Sequence, residues 1–348
     1  MLSVTIEPGV FAPPFGARSV ESVRAYVATL LHWRDAHESG GVELCVSEST
    51  AETLVNCDCY PLRPWLKTLL HETKCTEYDA NTIATVAETL IARSASLEKE
   101  SRIADLLFDG IFLNPSVFQN HVPPQLRAAS ERCALIIAII RAVGKDTFSL
   151  CHGIVVRASG GASNVQIGAS LAIIEHSGKG FNALGELPQD FEGSCVICEK
   201  FRDYILTIDE CILWQMSEDN DDIEIAIRVV LLKSRVQRGE TGDWGALPSF
   251  RLHKGFFDSV RASGALTTVS LARSSLRAIV EAIENLQLPD AHPLRTGAGG
   301  DDPQVLRGND AAWRRDINYE YHLHYWVCTD ARVELACVGP HGHLGIYF

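Results

Sequence analysis

The stretch from Trp313 to Val327 constrains the fold most, because its side chains alternate in polarity as two antiparallel strands do. With a tight turn in its middle, Asp316 is predicted to lie opposite His322, and Arg314 opposite His324. These four side chains then share one face, close enough to hydrogen-bond across the strands. The other face is the predicted core side, with Trp313, Ile317, Tyr321, Leu323, Tyr325 and Val327.

Two interpretations of the polar face remain open. Two imidazoles, a guanidinium and a carboxylate in one patch have the chemistry for proton transfer at a phosphate group. The alternative is a solvated face with no catalytic role. Arg315 is the exception to the pattern, because a turn at Asn318-Tyr319-Glu320 points its charged side chain toward the core.

Residues 249–348 have the element order of a compact α+β domain. A short strand at 250–252 is followed by helices at 256–262 and 269–286, each with an apolar stripe, and then by a glycine-rich loop. The strand pair and a last strand from residue 333 complete a helical hairpin packed on an antiparallel sheet. The preceding segment, 239–248, holds three glycines and a proline and is the predicted linker.

The rest of the chain divides into two predicted regions. Residues 1–145 are predicted to be mainly helical: 1–18 form an extended lead-in, and the helical stripe that starts at residue 79 continues or restarts over 97–108. Residues 146–238 are predicted to be a mixed α/β region. Its first part is expected to be a hairpin, with strands at 147–157 and 164–175 and a turn at Ser159-Gly160-Gly161-Ala162-Ser163. These glycines favour a turn over a phosphate-binding loop, because neither nucleotide-binding glycine motif is present.

The charge distribution separates the front of the chain from its end. Residues 249–348 contain 10 of the 31 Lys and Arg residues, 11 of the 44 Asp and Glu residues, and six of the 12 histidines. The excess negative charge of the protein therefore lies in the first 248 residues, which argues against a general nucleic-acid coat and favours a protein partner for that region.

Composition predicts a cytoplasmic protein that needs no cofactor. No apolar run approaches the ~18 residues that span a bilayer, and the first residues lack the features of a secretion signal, so no membrane contact is expected. Eleven irregularly spaced cysteines fit reduced thiols. No metal site is predicted. The weak candidates for a zinc site are Cys57, Cys59, His71 and Cys75, which lack a Cys-x-x-Cys knuckle.

The last hundred residues resemble the RelE/YoeB superfamily of bacterial toxins. The resemblance is carried by Pro293-Leu-Arg295, by Trp313-Arg-Arg-Asp-Ile317, by Glu320-Tyr-His-Leu-His-Tyr325, and by a last strand leading to His341 and Tyr347. It implies metal-independent cleavage of RNA, usually of messenger RNA held in the ribosome. In this chemistry a ribose 2′-hydroxyl attacks the adjacent phosphate while the protein moves protons and stabilises the developing charge.

The resemblance also implies roles for individual residues. The key strand arginine of the family falls on His322, and a histidine cannot reproduce the fixed fork of a guanidinium, so Arg314 or Arg315 takes that role. Glu320 matches an acidic position, and His341 and Tyr347 match a C-terminal histidine and tyrosine. The predicted catalytic set is therefore His322, His324, Arg314, Arg315, Asp316, Glu320, His341 and Tyr347, and the predicted RNA contacts are Arg295 and Trp326. For Trp326 the alternative is a packing role.

Two hypotheses of function follow. In the first, the protein is a RelE-like toxin or effector that cleaves RNA or arrests translation, with the acidic front of the chain as a sensing or restraining module. In the second, the domain is a degenerate RelE-like fold that serves for docking, in a phage-defence or toxin–antitoxin assembly. The histidine at position 322 and the near-neutral charge of residues 249–348 are the features that separate the two hypotheses.

Overall fold

A computed structural model describes residues 2–14, 19–119, 123–157, 163–177, 181, 184–284, 291–297 and 299–348. The chain forms two compact units, Met1–Ile208 and Asp209–Phe348, and its class is α+β. Among the described residues, no helix combines the length and the apolar character that crossing a bilayer requires.

Unit 1 is an α/β structure built on one sheet. Its strands are β1 (Ser3–Ile6), β2 (Glu43–Val46), β3 (Ala95–Ser96), β4 (Ile103–Asn114), β5 (Gly153–Val155), β6 (Ser163–His176) and β7 (Gln189–Cys198). Its helices are α1 (Pro8–Phe11), α2 (Val20–Glu38), α3 (Thr50–Asn56), α4 (Arg63–Thr73), α5 (Ala80–Arg93), α6 (Leu97–Ser101), α7 (Pro124–Val143), α8 (Thr147–Cys151) and α9 (Phe201–Thr207).

The sheet order is β3-β2-β1-β5-β7-β6-β4. The first five of these strands are parallel, and β6 and β4 are added antiparallel at one edge. An extensive apolar cluster of unit 1 lies between this sheet and α7, whose residues 133–140 are all buried. Helix α2 begins at Val20, and its N-cap is Ser19, whose hydroxyl accepts a hydrogen bond from the Ser22 backbone N–H.

Three predictions for unit 1 are wrong. The extended lead-in contains β1, which lies inside the sheet with all four of its residues buried, the hydroxyl-bearing ones as well as the apolar ones. The helical stripe over 97–108 ends at residue 101, and β4 begins at Ile103. The predicted hairpin is also absent, because residues 147–151 are helical and β7 separates β5 from β6. Residues 159–162 of its predicted turn lie outside the described residues.

Unit 2 contains every element predicted for the last hundred residues. Its helices are α10 (Glu210–Gln215), α11 (Asn220–Gln237), α12 (Phe256–Ala262) and α13 (Val269–Ile283). Its strands are β8 (Phe250–Leu252), β9 (Ala291–Pro293), β10 (Leu306–Arg307), β11 (Asp310–Asp316), β12 (Tyr321–Val327) and β13 (Val333–Pro340). The sheet order is β10-β11-β12-β13-β8, with β8 parallel to β13 and β9 paired to β11.

The division between the units differs from the predicted boundaries at residues 145 and 238. Strands from both predicted regions share the sheet of unit 1, while α10 and α11 belong to unit 2. In the predicted linker, the side chains of Trp244 and Leu247 are buried. The glycines and proline of 239–248 therefore form a packed connection within unit 2.

The acidic run before α11 caps that helix. The carboxylate of Asp219 accepts hydrogen bonds from the backbone N–H groups of Asp221 and Asp222. This is the favourable place for negative charge at a helix, because the first N–H groups lack partners within it.

Candidate functional site

The pairing of β11 with β12 follows the predicted register. Asp316 lies opposite His322 and Arg314 lies opposite His324. Strand β9 extends the same row outward, since His292 pairs with Arg314. We call the face that carries Arg314, Asp316, His322, His324 and His292 the histidine face. Directly paired residues of neighbouring strands point to the same side of a sheet, so these five side chains share one surface.

His322 is joined to Asp316 across the two strands. Its Nε2 lies 2.9 Å from Oδ1 of Asp316. A carboxylate only accepts hydrogen bonds, so Nε2 carries the proton, and the lone pair of neutral His322 is on Nδ1. The carboxylate side chain is 45% exposed while the imidazole is only 5% exposed. The pair therefore connects a buried base to a solvated carboxylate.

His324 is held by the C-terminal segment, residues 341–348. Its Nδ1 lies 2.7 Å from the carbonyl oxygen of Gly345. A carbonyl oxygen is also only an acceptor, so Nδ1 carries the proton and the lone pair is on Nε2. Trp326 fixes the same segment by donating its indole N–H to the carbonyl oxygen of Tyr347 at 2.8 Å, and Ile346 joins the apolar cluster around Trp326.

Two further imidazoles of the C-terminal segment lie against the histidine face. The ring of His341 is 4.8 Å from that of His322, and the ring of His343 stacks nearly parallel on that of His324 at 5.7 Å. Both residues are exposed. His343 fits because its neighbours are glycines: a Cβ at Gly339 or at Gly345 would approach its ring to 2.8 Å.

Burial keeps the two central histidines neutral. His322 and His324 are 4% and 0% exposed, so the interpretation of this patch as a solvated polar face is wrong for them. Desolvation lowers the pKa of His324 to about 4, and it also lowers the pKa of His322, which Asp316 partly opposes. At neutral pH both imidazoles are therefore unprotonated and able to accept a proton.

The histidine face contains an unusual concentration of unused hydrogen-bonding atoms. Within the described residues, six buried side-chain nitrogen or oxygen atoms have no hydrogen-bond partner, and three of them are Arg314 Nε, His322 Nδ1 and His324 Nε2. A buried polar atom without a partner is destabilising, and in native proteins it commonly marks a functional site. The three atoms belong to neighbouring residues on one surface, where each imidazole experiences the charge of Arg314.

Arg315 points away from this face, as the register predicts. It is 3% exposed, and its guanidinium contacts Oε2 of Glu281 on α13 through Nε at 2.9 Å and through Nη2 at 2.6 Å. This ion pair explains how a guanidinium is accommodated on the core side of β11. Arg315 is thus separated from the other predicted catalytic residues, and of the two arginines only Arg314 lies on the histidine face.

The remaining predicted site residues lie around the edge of the face or under it. Glu320 is exposed in the turn, and its carbonyl oxygen accepts the backbone N–H of His341. The Tyr347 side chain is 41% exposed, with its ring 5.1 Å from that of His253. Arg295 is half-buried and donates to the carbonyl oxygen of Asp302 in the following loop.

Trp326 is part of the core in this structure. Its ring is fully buried, packs with Leu294, Ala312, Ala336 and Ile346, and lies beneath the guanidinium of Arg307 at 4.6 Å. The packing alternative for this residue therefore holds, and the ring is not accessible to a nucleic-acid base.

No metal centre is assembled in the part of the chain that the structure describes. No group of three or more His, Cys, Asp or Glu side chains is arranged there to hold a metal ion. Of the weak zinc candidates, Cys57, Cys59 and Cys75 are buried while His71 is exposed. Burial raises the pKa of the Cys59 thiol to about 12, so this group is protonated at neutral pH.

Two groups of the site escaped the sequence-based prediction. His292 belongs to a strand of three residues, which is too short to show alternation. The signal that could have indicated it is its position directly before Pro293, in the segment that carries the resemblance. The Gly345 carbonyl is a backbone group, which no side-chain pattern reveals.

Comparison with known proteins identifies no relative. No family model matches the chain, and neither the curated proteins nor the solved structures contain a significant match.

Proposed function

We propose that the protein is a RelE-like effector that cleaves RNA, or arrests translation, through acid–base chemistry on the histidine face. The observation that supports this most directly is the pair formed by His322 and Asp316 beside Arg314. A neutral imidazole that is oriented by a carboxylate can act as a general base, and an adjacent guanidinium can bind a phosphate group. The order of elements in residues 249–348, a strand, two helices and then antiparallel strands, is the order on which the resemblance rests.

In the proposed reaction, Nδ1 of His322 removes the proton of a ribose 2′-hydroxyl. The 2′-oxygen then forms a bond to phosphorus, and the bond from phosphorus to the 5′-oxygen of the next nucleotide breaks. Asp316 stabilises the imidazolium that forms, and Arg314 stabilises the charge on the phosphate oxygens. His341 turns aside to admit the substrate and returns a proton to the leaving oxygen. The products are a 2′,3′-cyclic phosphate and a 5′-hydroxyl.

The acidic front of the chain is proposed to restrain this activity. Its excess of carboxylates repels RNA and is complementary to a basic protein partner. In this proposal a partner or signal that engages unit 1 controls the activity of unit 2.

The second candidate is a docking protein without catalysis. Two observations favour it: His322 and His324 are buried, and residues 249–348 carry almost balanced charge, 10 basic against 11 acidic residues. RNA binding draws much of its affinity from basic residues that contact phosphates, so a near-neutral domain binds RNA weakly unless a partner contributes.

The test compares the full chain with its His322→Gln, His324→Gln double variant, and uses as a control the Arg261→Gln variant, which changes an exposed side chain of α12. Bulk translation in cells and cleavage of end-labelled RNA in vitro are measured for each protein. We expect the wild type and Arg261→Gln to generate cyclic-phosphate ends and the double variant to lose at least 100-fold in rate. If a folded wild type and double variant behave alike in both assays, the catalytic proposal is abandoned in favour of docking.

A further inference from the structure

We infer that the histidine face is a proton-coupled binding site for a tetrahedral oxyanion of the phosphate class, formed by Arg314 Nε, His322 Nδ1 and His324 Nε2. This inference names the chemical group that the face recognises, and in that sense it rests on the proposed function. The binding it describes requires no catalysis and is measured separately.

The first step of the argument is the fixed direction of each imidazole. In His322 the Nε2–H donates to Asp316, and in His324 the Nδ1–H donates to the Gly345 carbonyl. Both acceptors remain satisfied whether the ring is neutral or protonated. A proton added to either ring therefore goes to the nitrogen that has no partner within the described chain, and turns a bare lone pair into a donor.

The second step is the number of donors that this produces. After protonation the surface presents three N–H groups without a partner: one from Arg314 and one from each of the two imidazoliums. Together these three cations and the Asp316 carboxylate have a net charge of about +2. A dianion with several acceptor oxygens satisfies both the donors and the charge.

The third step concerns the state without a ligand. Two bare lone pairs and one N–H have no partner among the described residues, and burial disfavours adding charge to either ring. A bound anion supplies the negative charge that balances the protonated imidazoles. Binding of the anion and uptake of protons are consequently linked, so that affinity increases as pH falls.

Other titratable and charged groups also face these two imidazoles. They are Asp316 and Arg314 on β11, His292 on β9, Cys337 on β13, and His341 and His343 in the C-terminal segment. Burial raises the pKa of Cys337 to about 11, so its thiol is neutral. His292, His341 and His343 are exposed.

A cation is a poorer occupant of this face. The unpartnered atom of Arg314 is a donor that carries positive charge, and it lies in the same row as His324. No three donors converge for a metal ion among the described residues. The positive charge of the Arg314 guanidinium therefore favours an anion.

The experiment is calorimetric titration of the full-length protein with sulfate, which stays doubly charged between pH 5 and 8 and so reports only the protons taken up by the protein. Titrations in two buffers of different ionisation enthalpy give the number of protons per sulfate, and potassium chloride at equal ionic strength is the ion control. We expect uptake of one to two protons, and a Kd that increases about 10- to 100-fold for each unit of rising pH. Proton uptake of zero in the wild type, or equal binding of chloride, overturns the inference without the use of any variant.

Variants then locate the site. Arg314→Gln is expected to weaken sulfate binding at least tenfold, and His324→Gln is expected to reduce proton uptake by about one. Arg261→Gln and His37→Gln, which change exposed residues of the same types, are expected to bind as the wild type does. If sulfate binds with proton uptake but RNA is not cleaved, the oxyanion site stands and only the catalytic proposal falls. If the two site variants bind as well as their controls, the site lies elsewhere.

Discussion

Each unit of the protein buries histidine side chains, but in different states of hydrogen bonding. In unit 1, His152 is completely buried, and both of its ring nitrogens have partners: Nδ1 lies 2.8 Å from the Ser3 hydroxyl and Nε2 lies 2.8 Å from the Thr5 hydroxyl. In unit 2, His322 and His324 are also buried, yet each uses only one nitrogen in contacts with the described residues.

This difference shows that burial alone does not identify a functional histidine. Hydroxyl groups both donate and accept, so Ser3 and Thr5 satisfy neutral His152 completely and connect β1 to the residue after α8. The histidine face has no such compensation within the described residues. A polar group satisfied in the core contributes to stability, whereas an unsatisfied one is retained at the expense of stability for another purpose.

The largest expected effect concerns Arg315, the satisfied cation on the opposite side of β11. We expect Arg315→Met to destabilise unit 2 by about 3–5 kcal/mol, because it leaves the Glu281 carboxylate partly buried without its partner. Urea denaturation, monitored by hydrogen exchange in peptides of unit 2, measures this loss of stability. The matched control is the Arg315→Met, Glu281→Met double variant, which is expected to recover most of the loss. A single variant as stable as the wild type would contradict the described ion pair.

The next effect compares the histidines directly. We expect His152→Leu to destabilise unit 1 by about 2–4 kcal/mol, since two buried hydroxyls lose their partner. His324→Leu is expected to destabilise unit 2 by only about 1 kcal/mol, since it frees one carbonyl oxygen and removes an unsatisfied nitrogen. Denaturation of both variants measures the difference. Equal losses would show that the two environments are energetically alike.

Acid is expected to destabilise both units, and the sign follows from the lowered pKa values. Burial lowers the pKa of His152 to about 3 and that of His324 to about 4, so below the ordinary value of 6.5 the unfolded chain binds more protons than the folded one. The contribution of these groups to the free energy of unfolding is therefore complete above about pH 6.5. As pH decreases toward those pKa values, it falls by up to about 1.4 kcal/mol for each histidine and each pH unit.

Sulfate distinguishes the two acid responses. At pH 5 it is expected to restore hydrogen-exchange protection in unit 2, where it binds the protonated histidines, and not around His152. Peptide-resolved exchange with and without sulfate checks this. Equal protection of both units would indicate a general salt effect.

The smallest effect is expected at Tyr347. Its backbone carbonyl oxygen accepts the Trp326 indole N–H, whereas its side chain is 41% exposed. We expect Tyr347→Phe to change stability by less than about 0.5 kcal/mol and to leave sulfate affinity unchanged. A loss of RNA cleavage in this variant with unchanged sulfate binding would assign the hydroxyl a role in the chemical step.

The accuracy of the sequence-based predictions depended on the length of each strand and on a recognisable turn. The β11–β12 register was predicted correctly, because the turn and the alternation of seven-residue strands leave one arrangement that places Leu323 and Tyr325 in the core. Strand β1 has only four residues, all buried, and this is too short a stretch for its alternation of hydroxyl and apolar side chains to identify it. Strand β4 was mistaken for helix because α6 ends just before it, so that Leu97 of α6 and the apolar residues of β4 were interpreted as one helical stripe.

The sequence by itself determined which side chains of unit 2 share a surface, because pairing in an antiparallel sheet follows from local alternation and a short turn. It also indicated that Arg315 points to the core. Only the tertiary structure decided what those side chains do there. The Glu281 partner, the His292 row and the C-terminal segment over His324 are brought in from other parts of unit 2, and they determine burial, tautomer and hydrogen bonding. These properties arise from contacts between segments distant along the chain, and local sequence periodicity carries no information about them.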